Sequence, residues 1–372
     1  MSHQLINTHQ GVDDVCRRLS QEEVIGVDTE FLRVKTYYPR LALVQVSTPT
    51  GIYCIDPLAE EVRLDDLWSI LGGSVVLKVM HAARQDVEVL LHTADVLPRP
   101  LFDTQVAAAL LGYPEQVGYA GLVESEFGET LPKTSQRTDW TRRPLSQAQL
   151  GYAENDVRFL LPLRERLTVR LNELGRLAWA REDMERVLDP GLYHSEPTEA
   201  YRRVGRGVHL NTRAQHGLKS LCAWRERTAR SRDLPRHWVV DDETLVSIAT
   251  AGPRTVEELR HVEGLRQELV RRDGEAVVAC LNDSPDDTQA IWSRKEALSP
   301  EQKALRADLV QVLKSRAKEL RIAESVLVTR ADLDKLVRGK PGEEVVRGWR
   351  WEVIGRVLDD VLSGATQGVQ AS

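Results

Sequence analysis

The chain has 372 residues, 42% hydrophobic and 28% charged, with a formal net charge of −6. That is long enough for two or three domains with real cores, and it lacks the uniformly basic balance of a simple nucleic-acid binder. Cys16, Cys54, Cys222 and Cys280 form no Cys-x-x-Cys pair, which disfavours zinc-ribbon and thiol-redox chemistry and leaves reduced thiols as the expectation. Met1 to Gln10 is polar with no apolar stretch behind it, and no run approaches the roughly 20 apolar residues that span a bilayer. A cytoplasmic location with no membrane contact is therefore expected.

In chain order, the first half alternates two periods. Short apolar runs at Val24–Asp28, Leu41–Ser47, Ile52–Ile55 and Val75–Met80 read as buried or half-buried strands. Helical spacing covers Val12–Leu19, Leu64–Leu71, Asp86–Leu91, Thr104–Leu111 and Leu122–Phe127, giving a mixed α/β domain. Near residue 145 the pattern turns helical. Ser146-Gln-Ala-Gln149 fits a capping box, which starts a helix at about Gln147 that runs past Tyr152 and Asp156; Pro162 kinks or restarts it.

Asp189–Glu199 (DPGLYHSEPTE) is rich in breakers and reads as linker. Beyond it the chain is helical with a faint repeat. VVDDETLVSIA (Val239–Ala249) and LVTRADLDKLV (Leu327–Val337) each place a capping residue, Asp241 or Thr329, four before a leucine and seven before another apolar residue. Ser299-Pro300-Glu301-Gln302 is a second helix start. The resulting segments are 1–190, a linker at 191–206, a helical unit at 207–287, a linker at 288–298 and a second helical unit at 299–366. Charge is uneven. Tyr201–Arg236 holds ten Lys/Arg against Glu226 and Asp233, and such a stripe can bind a polyanion or simply be a solvated face.

Three acidic fragments stand out. Asp28 and Glu30 are two apart on a strand and so share a face. Two carboxylates about 4 Å apart repel by roughly 4 kcal/mol at an effective dielectric near 20, and a divalent cation removes that cost. Asp86 opens a helix after the fourth strand, where the dipole alone would favour it. Tyr152 and Asp156, four apart, share a helix face. Each fragment alone has a plain structural explanation. Together they offer four formal charges, matched to two Mg²⁺ or Mn²⁺ ions, and no Cys/His cluster competes for zinc. Two such ions about 4 Å apart support in-line displacement at phosphorus. Tyr152 would orient the attacking water; with a usual pKa near 10 its phenol is a poor base.

DTEF (Asp28–Phe31), HAARQD (His81–Asp86) and YAEND (Tyr152–Asp156) resemble the three motifs of the DEDD exonuclease superfamily, in its tyrosine branch. Gly151 stands where the histidine branch would need its histidine. YYPRLALVQVS (Tyr37–Ser47), LFDTQVAAALLGY (Leu101–Tyr113) and LPKTSQRTDWTRRPLSQAQLGYAENDV (Leu131–Val157) are similar to the ribonuclease D family, and the two C-terminal units resemble HRDC domains. The resemblance implies a ribonuclease H-like α/β exonuclease domain, a mixed sheet flanked by helices, followed by two small all-α HRDC-like domains. It implies a 3′→5′ exoribonuclease that releases 5′-mononucleotides, with Asp28, Glu30, Asp86 and Asp156 as ligands of two divalent metal ions and Tyr152 beside them. It also implies RNA as partner, tRNA precursors and other small structured RNAs among them. No obligate protein partner is evident.

Several residues are candidates for substrate contact. Lys133, Arg137, Arg142 and Arg143 precede the last motif and can neutralise phosphates. Phe31 and Tyr38 can stack on terminal bases. Gln45 can touch a ribose or pack, and His81 can neighbour the site or sit in the core. Arg225 and Arg227 can add sequence-independent affinity, whereas the spacing of Trp224 places it in the core. Trp349 and Trp351 likewise read as packing. A non-catalytic RNA-binding scaffold would need a broken acidic set, and the set is whole. A DNA exonuclease would use the same chemistry, because no residue declares who reads the 2′-hydroxyl. A helicase is disfavoured by the lack of a G-x-x-x-x-G-K-[ST] loop.

Overall fold

A computed structural model describes residues 5–132, 138–284, 289–292, 297–340, 342, 345 and 347–370. The chain divides into two compact units. The first comprises Met1–Phe31, Leu41–Asp189 and Ala297–Ser372; the second comprises Leu32–Arg40 and Pro190–Glu296.

The first unit runs β1 (Leu5–Ile6), α1 (His9–Leu19), β2 (Val24–Leu32), β3 (Arg40–Ser47), β4 (Ile52–Ile55), α2 (Asp65–Gly72), β5 (Leu77–Met80), α3 (Arg84–Ala94), β6 (Leu101–Asp103), α4 (Thr104–Ala109), α5 (Tyr119–Phe127), α6 (Gln147–Arg158), α7 (Leu160–Glu173) and α8 (Leu177–Val187). Its sheet has the order β1-β4-β3-β2-β5-β6. β1 pairs parallel with β4, β2 with β5 and β5 with β6, while β3 and β4 are antiparallel. β2 and β3 are sheet neighbours joined only by residues 33–39. A parallel pair needs a crossover of a dozen or more residues, so these two strands run antiparallel. The sheet is mixed.

Local chemistry explains the elements that matter most. β3 is buried from Leu41 to Ser47, the continuous apolar run of a central strand. β2 continues four residues beyond the apolar run that signals it, to Leu32, because pairing rather than hydrophobicity carries it into the acidic motif. Lys78 on β5 is fully buried, and its ammonium donates to the carbonyls of Gly73 and Val76 at 2.7 and 2.8 Å and to that of Arg99. This fixes the start of the strand that leads into α3. The Ser146–Gln149 capping box is present at the head of α6. α6 ends at Arg158 and α7 begins at Leu160, so Pro162 sits in a first turn, where its missing N–H costs nothing.

The second unit is helical: α9 (Thr212–Ser231), α10 (Arg236–Val239), α11 (Asp242–Ala251), α12 (Val256–Arg260) and α13 (Gln267–Asn282). The rest of the first unit follows as α14 (Pro300–Leu320), α15 (Glu324–Leu327), α16 (Arg330–Leu336), α17 (Gly348–Arg350) and, after a wider turn at Trp351–Gly355, α18 (Arg356–Gln370). Asp241 and Thr329 cap α11 and α16, accepting from the N–H groups of Thr244 and Asp332. Leu245, Ile248, Leu333 and Leu336 are all buried behind them. The segment from 299 onward shares one core with the α/β domain: Leu309, Leu313 and Trp349 lie in the same cluster as Leu163, Leu167 and Met184. Trp349 stacks on Trp179 at 4.6 Å between ring centroids, and Arg350 forks onto Asp183. Among the described residues no helix is long and apolar enough to cross a membrane.

The second unit recruits the β2–β3 connection. The Asp233 carboxylate accepts from the backbone N–H groups of Tyr37 and Tyr38 at 3.0 and 3.1 Å. The Tyr37 hydroxyl meets Glu226, Arg230 and Arg236. Glu226 is buried to 1% side-chain exposure beneath Arg203, Arg230 and Arg236. Burial pushes its carboxyl up, but hydrogen bonds from Arg236 and Tyr37 and the arginine charges outweigh that and hold it down at about 2. Glu226→Gln would leave three guanidinium groups around a neutral amide. A loss of about 2–3 kcal/mol is expected, below the range for fully buried pairs because the arginines reach water. The same group makes the wild type lose stability as pH falls from its ordinary 4.5 through about 2. Urea unfolding of both proteins at neutral pH checks the first expectation; an unchanged midpoint would contradict it.

Candidate active site

Strand alternation turns Asp28 and Glu30 to one face of β2, and α6 brings Asp156 over that face. Among the described residues, carboxylate oxygens of Asp28, Glu30 and Asp156 lie within 4.8 Å of one another. Asp86 joins from the first turn of α3, where it is 7% exposed and accepts from the Thr29 hydroxyl at 2.5 Å. That bond ties α3 to the strand between the two acids of β2. Tyr152 lies one turn before Asp156, hydrogen-bonds to its carboxylate, and packs on Trp140 at 6.1 Å between ring centroids.

The loop that delivers Asp86 is itself gripped. Ala82 takes a left-handed backbone, with φ of 53°. The Asp103 carboxylate accepts from the N–H groups of Ala82 and Ala83 at 3.1 and 2.8 Å while capping α4 through Gln105 and Val106. Asp103 and Thr29 are therefore positioning groups that sequence reasoning did not single out. The signal for Asp103 is an Asp directly before a helical pattern; nothing in sequence marks Thr29.

Electrostatics follow from the crowding. Burial, then Asp86, Asp156 and Glu30, push Asp28 well above the usual carboxylate range. Glu30 is pushed up to about 9 by burial and then by Asp156 and Asp86. Burial lifts Asp86 and Asp156 to about 7 each, although the Thr29 and Tyr152 hydroxyls pull the other way. Tyr152 itself is raised, by burial first and then by Asp156, so its phenol keeps its proton at neutral pH. Four carboxylates offering hard oxygen donors, crowded together and withdrawn from water, suit a divalent cation such as Mg²⁺ or Mn²⁺.

The other candidates separate on burial. Gln45 is 0% exposed on β3, which places it in the packing of the strand. His81 has both ring nitrogens engaged, Nδ1 with the Thr104 hydroxyl at 2.9 Å and Nε2 with the Val117 carbonyl at 3.0 Å, and its ring packs edge-on to Tyr119. It holds the loop, and no ring nitrogen is left for substrate. Arg225 is 5% exposed and bound to the Val240 carbonyl and Asp242; its charge is spent inside the fold. Arg143 forks onto Asp56 at 2.6 Å for both bonds and donates to the carbonyls of Trp140 and Ala42, which makes it a brace for the approach to α6. Arg142 and Arg227 are exposed, and Phe31 is half-buried on the face it shares with Thr29. Lys133 and Arg137 lie outside the described residues. The basic stripe is less bare than its sequence implies. Arg203, Arg230 and Arg236 surround Glu226, Arg232 pairs with Asp273, and Arg202 pairs with Glu199.

Residues 3–172 match the family model described as 3'-5' exonuclease, and residues 216–281 match that of the HRDC domain. Ribonuclease D of Sphingobium indicum is 36% identical over 97% of this chain and 95% of its own length. Ribonuclease D of Granulibacter bethesdensis is 36% identical over 95% of this chain and 90% of its own. The crystal structure of Escherichia coli RNase D, described as an exoribonuclease involved in structured RNA processing, superimposes with a TM-score of 0.84 at 31% identity, covering 98% of this chain and 99% of that one.

The raised carboxyls fix a sign for stability against pH. Without a cation, the folded chain keeps protons on Asp86 and Asp156 to about 7 and on Glu30 to about 9, whereas their ordinary values are 3.8 and 4.5. Between those limits the folded state binds more protons than the unfolded one, so this cluster loses stability as pH rises through the window. In EDTA the melting temperature should fall across that range. Saturating Mn²⁺ should raise it more at about pH 8.5 than at about pH 6, because the cation takes the place of protons. Thermal melts at both pH values check this; an equal rise at both would contradict it.

Proposed function

The chain belongs to the ribonuclease D family and is a 3′→5′ exoribonuclease, and from that premise we propose that it trims RNA 3′ ends to 5′-mononucleotides with two divalent cations held by Asp28, Glu30, Asp86 and Asp156. The substrates we assign are 3′-extended tRNA precursors and other small structured RNAs of the cytoplasm. One observation carries the site assignment: the oxygens of Asp28, Glu30 and Asp156 converge within 4.8 Å, with Asp86 tied to the same strand through Thr29. Membership of this exonuclease family implies dependence on a divalent metal; the number of ions is our reading.

Asp28 has Asp86, Asp156 and Glu30 all among the charges that act on it, and the four carboxylates together would hold the cations. When bound, the ions supply an activated water and neutralise charge that builds on the phosphate. The protein's own contribution is orientation. Tyr152, protonated and anchored on Asp156, holds the attacking water by a hydrogen bond rather than taking its proton. Arg142 near the head of α6 is placed in sequence to meet phosphates. In the second unit the exposed Arg213 and Arg227 of α9 would add affinity that is blind to sequence and sensitive to salt. Residues 299–366 are assigned as a second HRDC-like unit on the shared pattern of cap, leucine and apolar residue.

Two measurements test this reading. On a 5′-labelled, 3′-extended tRNA precursor, a ladder shortening from the 3′ end is expected with Mg²⁺ or Mn²⁺ and not with EDTA, while a matched DNA strand stays intact. Asp28→Asn and Asp156→Asn should abolish the ladder in folded protein. Tyr152→Phe should cost about 10²–10³-fold in rate, the range for losing one positioned hydrogen bond in a transition state, with metal binding kept. Near-normal cleavage by either Asn variant would overturn the metal assignment. For RNA binding, Arg213→Gln with Arg227→Gln should flatten the plot of log affinity against log salt by about 1–2 units; an unchanged slope would remove α9 from the RNA surface.

A further inference from the structure

Gln45 is a buried polar side chain with nothing to bind. It is 0% exposed on β3, and neither its amide nitrogen nor its amide oxygen has a hydrogen-bond partner. An amide buried in that state has given up its hydrogen bonds to water without replacement, and buried polar groups left unpaired in native proteins call for a specific explanation, a bound ion or a catalytic role among them.

Register supplies the explanation. A Cβ added at Gly26 would lie 2.3 Å from the Ser47 hydroxyl, so Gly26 and Ser47 abut on one face of the sheet. β2 and β3 are antiparallel, so stepping two residues forward on one and two back on the other sets Gln45 across from Asp28. Facing pairs of this kind have Cβ atoms about 4.5–5.5 Å apart, within reach of a glutamine. That face looks toward α6, since the Ser47 hydroxyl donates to the Val157 carbonyl at 2.9 Å and is thereby spent. On the other side β4 sets Cys54 opposite Gln45. Ala42, Leu43, Leu150 and Ala153 pack with Cys54 in an apolar cluster. Of the two residues facing Gln45 across the strands, only Asp28 carries a strong acceptor.

We propose that Gln45 is a positioning residue of the metal site: its Nε2–H donates to the Asp28 carboxylate and holds that group in the orientation that ligates cations. The amide makes no other hydrogen bond, which leaves its Nε2–H free for that one. This rests on the reading of Asp28 as a metal ligand. Groups that orient a metal ligand in this way typically govern affinity by about 10–100-fold.

The test is Gln45→Met, which keeps the length and much of the volume and removes both polar atoms. Mn²⁺ binding is measured by calorimetry on the full chain without RNA, alongside wild type and Asp28→Asn, with thermal melts in EDTA. The Mn²⁺ Kd of Gln45→Met should weaken about 10–100-fold, while its melting temperature in EDTA equals or exceeds that of wild type. Cleavage at saturating Mn²⁺ should recover toward wild type. Unchanged Mn²⁺ affinity would overturn the proposal. So would a lowered melting temperature in EDTA or a failure to fold, because a buried amide that makes no hydrogen bond has none to lose. Failure of the underlying reading looks different: wild type itself would bind no Mn²⁺, or Asp28→Asn would bind it as tightly as wild type.

Discussion

Carboxylates that repel one another in a place short of water are the constraint around which the first unit is built. The approach of Asp28, Glu30 and Asp156 to within 4.8 Å, with Asp86 buried beside them, would be strongly unfavourable for four ionised groups. Burial first and neighbouring acids second make that cost, and they raise every one of the four above its ordinary range. Divalent cations meet it by supplying positive charge. The surroundings help fix the geometry, since two of the acids are held from behind: Asp86 by Thr29, with its loop gripped by Asp103, and Asp156 by Tyr152. A site arranged so that only a cation satisfies it is preorganised for phosphoryl chemistry.

The second unit solves a related problem with the opposite sign. Its sequence carries a dense run of arginines, and a bare cluster of cations would repel as the acids do. Glu226 and Asp273 are placed inside to absorb them, and Asp242 meets the buried Arg225 from the surface. Arginines that look like an RNA-binding stripe in sequence therefore mostly hold helices together. The Glu226 cluster also fastens Tyr37, in the connection that follows the acidic strand. Arg213 and Arg227 are among the side chains that the packing turns outward.

Periodicity made the acids legible. Two residues apart on a strand and four apart on a helix are each a statement about one face, and β2 and α6 have those periods. The caps at Asp241, Ser146, Ser299 and Thr329 were equally readable, because capping is local chemistry. What sequence could not convey was burial set by distant elements. Arg225 and Arg143 have acceptors 17 and 87 residues away, and His81 binds groups 23 and 36 residues on. Each reads as a free functional group until its partner is placed. Gln45 is the converse case: in sequence it reads as a ribose contact or as packing, and only its register across from Asp28 offers it a partner. β1 and β6, of two and three residues, are too short to show alternation at all.

Crystals soaked in Mn²⁺, with diffraction collected above and below the manganese absorption edge, would locate the cations directly. Two anomalous peaks are expected against the carboxylates of Asp28, Glu30, Asp86 and Asp156, both lost in Asp28→Asn. Manganese absent from these carboxylates, or bound only elsewhere on the chain, would contradict the assignment of the four acids as a two-cation site.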